Sequence, residues 1–486
     1  MNEMSDSQLI FDKLHEECGV VGFCCEKNSD VASLCYYALY ALQHRGQQSA
    51  GIAVNDDGVI TAHCDAGLVN EVFDESLLSQ LGRGTMAVGH VRYSTTGHER
   101  RLNAQPMVVN HVKGIMALAH NGNLTNDAEL REALEFSGSI FHSTSDTEVI
   151  AYIITKERLR ASSIEEAICC AMYKLAGAYS LIIMSPQKLI AARDPYGFRP
   201  LCIGKLPDGG YMFASETCAL DSVGATFIRD IAPGEIVICE KGQLRSITEH
   251  CNKCTPSICV FEYIYFARPD SYIDGYSVHL ARQKAGAFLA LEYPVDADVV
   301  IGVPDSGIDA ALGYSKQSGI PYGMGFIKNK YIGRTFIEET QASRERGVRI
   351  KLNPIASTIE GKRVVLIDDS IVRGVTIARI VKLLRDAGAK EVHIRSSAPK
   401  FLHPCYFGTD VDSKETLIAC KYTDEELVSM LGVDSLGFLS VENVTKLNGE
   451  GKTYCTGCFS GIYPCPPPPP RKKSKFLQKI SQTEKE

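Results

Sequence analysis

The sequence predicts two domains: a layered α+β domain with stacked sheets over residues 18–250, then an α/β domain on a parallel sheet over residues 260–445. Three observations carry this reading. A chain of 486 residues is longer than one hydrophobic core ordinarily organises. Short apolar segments separated by Gly, Asn, Asp and Pro crowd the first half, the pattern of strands and turns. Beyond residue 260 the order becomes strand, loop, helix, strand, which implies parallel pairing.

In the first half the expected strands are Gly19–Cys25, Ala50–Val54, Met86–Arg92, Ile115–His120, Leu181–Met184, Leu189–Ala192, Met212–Ala214 and Glu235–Cys239. The expected helices are Val31–Leu42, Asp127–Phe136, Asp146–Arg160 and Ser163–Leu175. In the second half Val278–Leu291 and Thr376–Ala387 read as helices, and Asp298–Val303, Arg363–Ile367 and Glu391–Ser396 as strands. Residues 1–17 read as a short leader, and 446–486 as a C-terminal segment. Cys465 there precedes the proline run Pro466–Pro470 and a basic, polar tail, a stiff and disordered extension by composition.

Composition narrows the function classes. Hydrophobic residues at 45% and charged residues at 22% fit a soluble globular protein. No apolar run approaches the ~20 residues a membrane helix needs. The acidic start lacks the basic and apolar stretches of a signal peptide, so a cytoplasmic protein is expected. A net charge of −7 argues against a nucleic-acid partner, since such proteins are usually basic. Eighteen cysteines without a secretory signal suggest core residues, metal ligands or a nucleophile, not disulfides.

The most specific segment is VVLIDDSIVRGVT, Val364–Thr376. An apolar strand delivers Asp368 and Asp369 to its C-terminal end, where open α/β sheets bind ligands. Ser370, Arg373, Gly374 and Thr376 then lead into a helix whose N-terminal N–H groups suit a phosphate. The paired acids suit ribose hydroxyls or a bound Mg²⁺. VIGVPDSG, Val300–Gly307, repeats the strand-and-turn pattern. Between the two loops, Lys328, Lys330, Arg334, Arg344, Arg346, Arg349 and Lys351 supply cations that could close over an anionic substrate.

Cys18 stands just before an apolar strand, in HEECGVVGF. It is followed in order by QHRGQQSAG, HVRYSTTG, AHNGNL and STSDTE. Among the other cysteines, Cys251/Cys254 and Cys455/Cys458 form two C-x-x-C pairs whose spacing allows a Cys₄ zinc site. Cys259 and Cys405 are further candidates.

These motifs carry a family resemblance. The five segments from Cys18 to about residue 240 resemble the glutaminase domain of class II amidotransferases, which are N-terminal-nucleophile (Ntn) hydrolases with an αββα arrangement. VVLIDDSIVRGVT resembles the phosphoribosyl pyrophosphate motif of type I phosphoribosyltransferases, departing at Val375, where a small hydroxyl residue is frequent. Together the halves resemble the iron–sulfur-containing amidophosphoribosyltransferases. The resemblance implies that removal of residues 1–17 frees the Cys18 α-amine to act as base for its own thiol. It implies an oxyanion hole from Asn121 and Gly122, with Arg92 and Asp146 holding the glutamine α-carboxylate and α-ammonium. Arg45 reads as a supporting or loop residue, and His44, His90 and His120 as structural residues within the motifs.

For the second site, the resemblance implies that Asp368, Asp369, Ser370, Arg373, Gly374, Thr376 and Lys328 bind phosphoribosyl pyrophosphate, with Mg²⁺ near Ser306, Asp368 and Asp369. It implies a [4Fe–4S] cluster on Cys259, Cys405, Cys455 and Cys458. Segment Phe261–Asp274 would join the domains and help enclose a path for ammonia. A homotetramer inhibited by purine nucleotides is expected. Two rivals share half of this pattern each. Glucosamine-phosphate-forming amidotransferases should lack LIDDSIVRG. Phosphoribosyl pyrophosphate-binding gene regulators should lack the glutaminase residues.

Overall fold

Thirteen strands, laid down in two sheets, build the N-terminal domain of this computed structural model, which describes residues 18–93, 101–329, 352–409, 411, 413–449 and 451–469. In chain order the strands are β1 (Gly19–Ser29), β2 (Ser49–Asp56), β3 (Val59–Ala66), β4 (Gly84–Arg92), β5 (Met107–His111), β6 (Gly114–Leu124) and β7 (Gly177–Met184). There follow β8 (Leu189–Arg193), β9 (Cys202–Lys205), β10 (Tyr211–Ala214), β11 (Thr226–Asp230), β12 (Ile236–Glu240) and β13 (Gln243–Ile247). One sheet has the order β11-β9-β10-β1-β4-β2-β3 and the other β13-β12-β8-β7-β6-β5.

The two sheets pack face to face. Val20, Val88, Ala119, Ile182 and Val237 fill the space between them. Val21 and Phe23 of β1 point the other way, against the helix Val31–Ala41. Both faces of β1 are therefore buried, which is why GVVGFCC is continuously apolar instead of alternating. Gly22 is needed here, because a Cβ at that position would lie 2.7 Å from Ile182 of the facing sheet. Helices Asp146–Arg158 and Ile164–Met172 cover the outer face of the second sheet. The layers run helix, sheet, sheet, helix, as the resemblance implied.

The unanticipated strands β3, β5, β11 and β13 are the four edges of the two sheets. Their sequences mix polar and apolar residues because one side meets solvent; β3 is largely exposed along its length. The short inner strand β9 escaped the sequence reading as well.

The C-terminal domain centres on four parallel strands. Short strands come first: β14 (Ile258–Cys259), β15 (Tyr272–Ile273) and β16 (Tyr276–Ser277). Next come β17 (Val299–Gly302), β18 (Phe326–Lys328), β19 (Leu352–Pro354), β20 (Arg363–Asp368), β21 (Glu391–Ser396), β22 (Ser435–Phe438) and β23 (Tyr454–Cys455). The sheet order β17-β20-β21-β22 is parallel throughout. Val300, Val365 and Ile367 face one core, with helices Val278–Glu292 and Gly307–Ser318. Val299, Ile301, Val364 and Leu366 face the other, with helix Val375–Asp386.

Between the domains, Glu262–Phe266 forms one π-helical turn, buried except for Tyr265. β14 pairs in parallel with β23, so residues 451–469 fold back onto the domain boundary. Pro466–Pro469 carry no regular secondary structure. The leader 1–17, Ser94–Gly97, the cations Lys330, Arg334, Arg344, Arg346, Arg349 and Lys351, and the tail 470–486 lie outside the described residues.

Candidate active sites

Cys18 immediately precedes β1. Its carbonyl accepts a hydrogen bond from Arg45 Nε at 2.9 Å, and its thiol lies 3.6 Å from the Tyr93 carbonyl. Pairing of β1 with β4 sets Gly19 opposite Val91, which delivers Arg92 to the same end of the sheet as Cys18. Arg92 is buried and its Nη1 has no hydrogen-bond partner. Burial lowers its pKa, while Cys18 and Asp146, close enough to act on it, favour its charge. The sequence-expected trio Cys18, Arg92 and Asp146 is thus brought together.

Asn121 and Gly122 lie on β6 opposite Ser180 and Tyr179 of β7. Asn121 is fully buried, and neither its Oδ1 nor its Nδ2 has a partner. Leaving a buried amide unpaired costs about 1–3 kcal/mol per group. Such a cost is tolerated where a ligand will supply the missing partners. Gly122 has φ +144°, and a Cβ there would meet the Ala178 carbonyl at 2.1 Å, so only glycine presents its N–H this way. The two sheets are tied at this point by His90, whose Nε2 lies 3.0 Å from the His120 carbonyl. His90 is fully buried, and burial pushes its pKa down to about 3, so it stays neutral and structural.

Asp146 begins its helix. Its Oδ2 accepts from the Leu124 N–H at 3.0 Å, and its Oδ1 sits 3.6 Å from His120 Nδ1. These contacts aim the carboxylate toward the same pocket. His44 Nε2 lies 2.8 Å from Glu216 Oε1.

The second site forms where β17 and β20 end. Asp368, Asp369 and Ser370 are all buried. Asp369 accepts at one oxygen from Ser370 Oγ at 2.6 Å and at the other from Ser306 Oγ, which joins the two predicted loops. The Asp369 N–H donates to Asp368 Oδ1 at 3.0 Å. Gly374 caps the helix Val375–Asp386 with φ +87°. Arg373 lies in the loop and Thr376 in the first helical turn, as expected. Lys328, on β18, forms an ion pair with Asp305 of the other loop. Among the described residues no group of three or more His, Cys, Asp or Glu side chains converges tightly enough to cage a metal ion. Two carboxylates and a hydroxyl instead suit a divalent cation that completes its shell with substrate oxygens and water.

The four thiols predicted as cluster ligands gather at the domain boundary. Cys259 and Cys455 are register partners in the β14–β23 pair. The Cys458 carbonyl accepts from the N–H groups of Leu402 and His403 at 3.0 Å, bringing the HPC segment of Cys405 alongside. Burial drives the Cys455 and Cys458 thiols up, and the neighbouring thiols push the same way: Cys259 and Cys405 act on Cys455, and Cys405, Cys259 and Cys455 act on Cys458. The alternative zinc site from the two C-x-x-C pairs is not assembled: Cys254 faces Tyr196 and Cys465. The β14 pairing is the physical reason, since it sets Cys259 beside Cys455. The four thiols lie within electrostatic reach of one another, a set of soft ligands gathered at one place.

Sequence reasoning missed the buried ion network at the boundary. Arg45 and Arg199 converge on Glu262, and Arg45 also pairs with Glu216. These partners lie 171 and 217 residues from Arg45 in the chain, beyond any local pattern. The available signal was an acid, Glu262, inside the aromatic run FEYIYF.

Comparison with known proteins finds a match to each domain. Residues 90–222 match a glutamine amidotransferase domain and residues 279–400 a phosphoribosyl transferase domain. An amidophosphoribosyltransferase of Synechocystis sp. is 48% identical, over 98% of this chain and 97% of its own. One from Methanocaldococcus jannaschii is 50% identical, over 92% and 97%. The solved Bacillus subtilis glutamine phosphoribosylpyrophosphate amidotransferase, complexed with ADP and GMP, is 47% identical with a TM-score of 0.85, over 92% of this chain and 97% of that one.

Proposed function

This chain belongs to the amidophosphoribosyltransferase family, and from that premise we propose how its residues divide the work. The enzyme transfers glutamine-derived ammonia to phosphoribosyl pyrophosphate. The products are 5-phosphoribosylamine, glutamate and pyrophosphate, in the first committed step of purine synthesis.

Cys18 is the nucleophile, with residues 1–17 removed so that its α-amine, of reference pKa about 7.7–8.0, takes the thiol proton. The thiolate attacks the glutamine side-chain amide carbon. Asn121 Nδ2 and the Gly122 N–H donate to the oxygen that becomes negative. Ammonia leaves, and water hydrolyses the thioester. Arg92 receives the α-carboxylate of glutamine and Asp146 its α-ammonium. The observation that carries this reading is the buried, unpartnered amide of Asn121 in the pocket tied to that of Arg92.

Ammonia then travels within the boundary beside the aromatic turn at 261–266 and attacks C1 of the sugar. Asp368 and Asp369 hold the ribose side, and Ser370, Arg373, Gly374 and Thr376 take the 5-phosphate. Lys328 and the Ser306 loop face the pyrophosphate. Mg²⁺, held at Ser306, Asp368 and Asp369, supplies charge neutralisation for the leaving group. A [4Fe–4S] cluster on Cys259, Cys405, Cys455 and Cys458 ties the C-terminal segment to the domain boundary. Purine nucleotides inhibit the enzyme, a reading supported by the ADP and GMP bound to the Bacillus relative, and a cytoplasmic homotetramer completes the proposal.

One assay tests the proposal: glutamate release with and without phosphoribosyl pyrophosphate and Mg²⁺, on wild type and Cys18→Ala. The variant should lose glutamine as donor yet still make product from ammonium. Glutamine use that survives the substitution would sink the reading.

A further inference from the structure

We propose that Glu262, on the interdomain π-helical turn, is a positioning residue for the glutaminase nucleophile, acting through Arg45 on the main chain of Cys18. The inference rests on the assignment of Cys18 above.

Arg45 is fully buried and spends its donors in three directions. Nε donates to the Cys18 carbonyl at 2.9 Å. Nη1 donates to Glu216 at 2.6 Å and to Glu262 Oε2 at 2.9 Å, while Nη2 donates to Glu262 Oε1 at 2.8 Å. The Arg45–Glu262 contact is therefore a two-point fork. A fork of this kind fixes the plane of a guanidinium, and the direction of Nε is fixed with it. The Cys18 carbonyl is thus held by a side chain whose orientation is set by a residue of the next domain segment.

Glu262 is itself held firmly. Arg199 Nη1 donates to its Oε1 at 3.2 Å, and Arg199 Nη2 donates to the Phe407 carbonyl at 2.7 Å. The turn that carries Glu262 is clamped at its far end by Arg282, which donates to the carbonyls of Tyr263 at 2.9 Å, Tyr265 at 3.0 Å and Ala267 at 2.7 Å. Two carboxylates, Glu216 and Glu262, offset two buried guanidiniums, so the charge is matched. Single π-helical turns are frequent at functional sites.

With both terminal nitrogens of Arg45 already paired to carboxylates, its Nε–H is left for one carbonyl in a fixed direction. Here the chosen carbonyl belongs to the reacting residue. A displacement of about 1 Å at a reacting group can lower a rate roughly a hundredfold.

The test uses the full chain with Glu262→Gln and the milder Glu262→Asp. The kcat for glutamate release should fall about tenfold or more in Glu262→Gln and less in Glu262→Asp. The KM for glutamine should stay within about threefold, because Arg92 and Asp146 are not touched by Glu262. Product formation from ammonium should stay within about twofold, showing that the second domain is intact. Equal loss with both nitrogen donors, a rise in KM alone, or an unchanged kcat would each overturn the proposal. If Glu262→Gln does not fold, Glu262→Asp decides by the same measures. Cys18→Ala separates the two claims: should that variant still use glutamine, the nucleophile assignment itself fails. A dead Cys18→Ala alongside fully active Glu262 variants rejects the positioning role alone.

Discussion

Ser306 and Asp369 lie 63 residues apart in the chain and meet through one hydrogen bond, the serine hydroxyl donating to the carboxylate. The bond joins the ends of β17 and β20, and so joins the two loops that the sequence marked separately. Asp369→Asn should lower product formation on the order of a hundredfold with glutamine or ammonium alike, since cation and ribose binding serve both donors. Ser306→Ala should lose less. Titration of Mg²⁺ against initial rate checks the assignment, and a wild-type Mg²⁺ dependence in Asp369→Asn would contradict it.

Asn121→Ala should depress glutamine-dependent kcat by about 10²–10³, the range for removal of one oxyanion donor. Ammonium-dependent synthesis should persist, because Asn121 lies in the first domain. Loss of both would show that the residue supports the fold instead.

Purified protein should contain about four iron and four sulfide per chain. Cys405→Ser and Cys458→Ser should each lose that content and lower the thermal midpoint, because the β14–β23 pairing and the HPC segment meet at these thiols. Metal and sulfide analysis is the readout. One zinc per chain without sulfide would rule the cluster out.

His90 makes the fold acid-sensitive. Its pKa falls to about 3 in the folded protein through burial, whereas an unfolded histidine titrates near 6.5. Between those values the unfolded chain binds a proton that the native state refuses. Its contribution to stability is therefore present above about pH 6.5 and declines by up to about 1.4 kcal/mol per pH unit on acidification toward pH 3. Denaturant unfolding of wild type and His90→Asn between pH 7 and pH 5 should show a shallower decline in the variant. Parallel curves would refute this account.

Gly374→Ala should destabilise by about 1 kcal/mol or more and raise the KM for phosphoribosyl pyrophosphate. The backbone there has φ +87°, and an added Cβ would lie 2.2 Å from Ile418 Cδ1. Adding Ile418→Ala removes the contact but leaves the unfavourable φ, so the double variant should stay impaired. Full recovery would show that the contact, not the backbone, is decisive.

Much of this was legible in the residues alone. Strands with both faces buried announced themselves as apolar runs, as in GVVGFCC and RVVLID, and glycine-bearing turns marked where they ended. Edge strands such as β3 and β13 did not, because a half-solvated strand needs no distinctive pattern. Cys18, Arg92, Asn121, Gly122, Asp368 and Asp369 were each marked as candidates through local motifs.

The chain by itself determined the two domains, the two sets of candidate site residues and the cysteines proposed as ligands, since each is written in residues close together in sequence. Tertiary structure decided which cysteines meet, that Ser306 reaches Asp369, and that Arg45 takes Glu262 as its partner. Those pairings depend on strand register and on burial, and a buried charge must find its counter-charge wherever folding brings one, however distant in the chain.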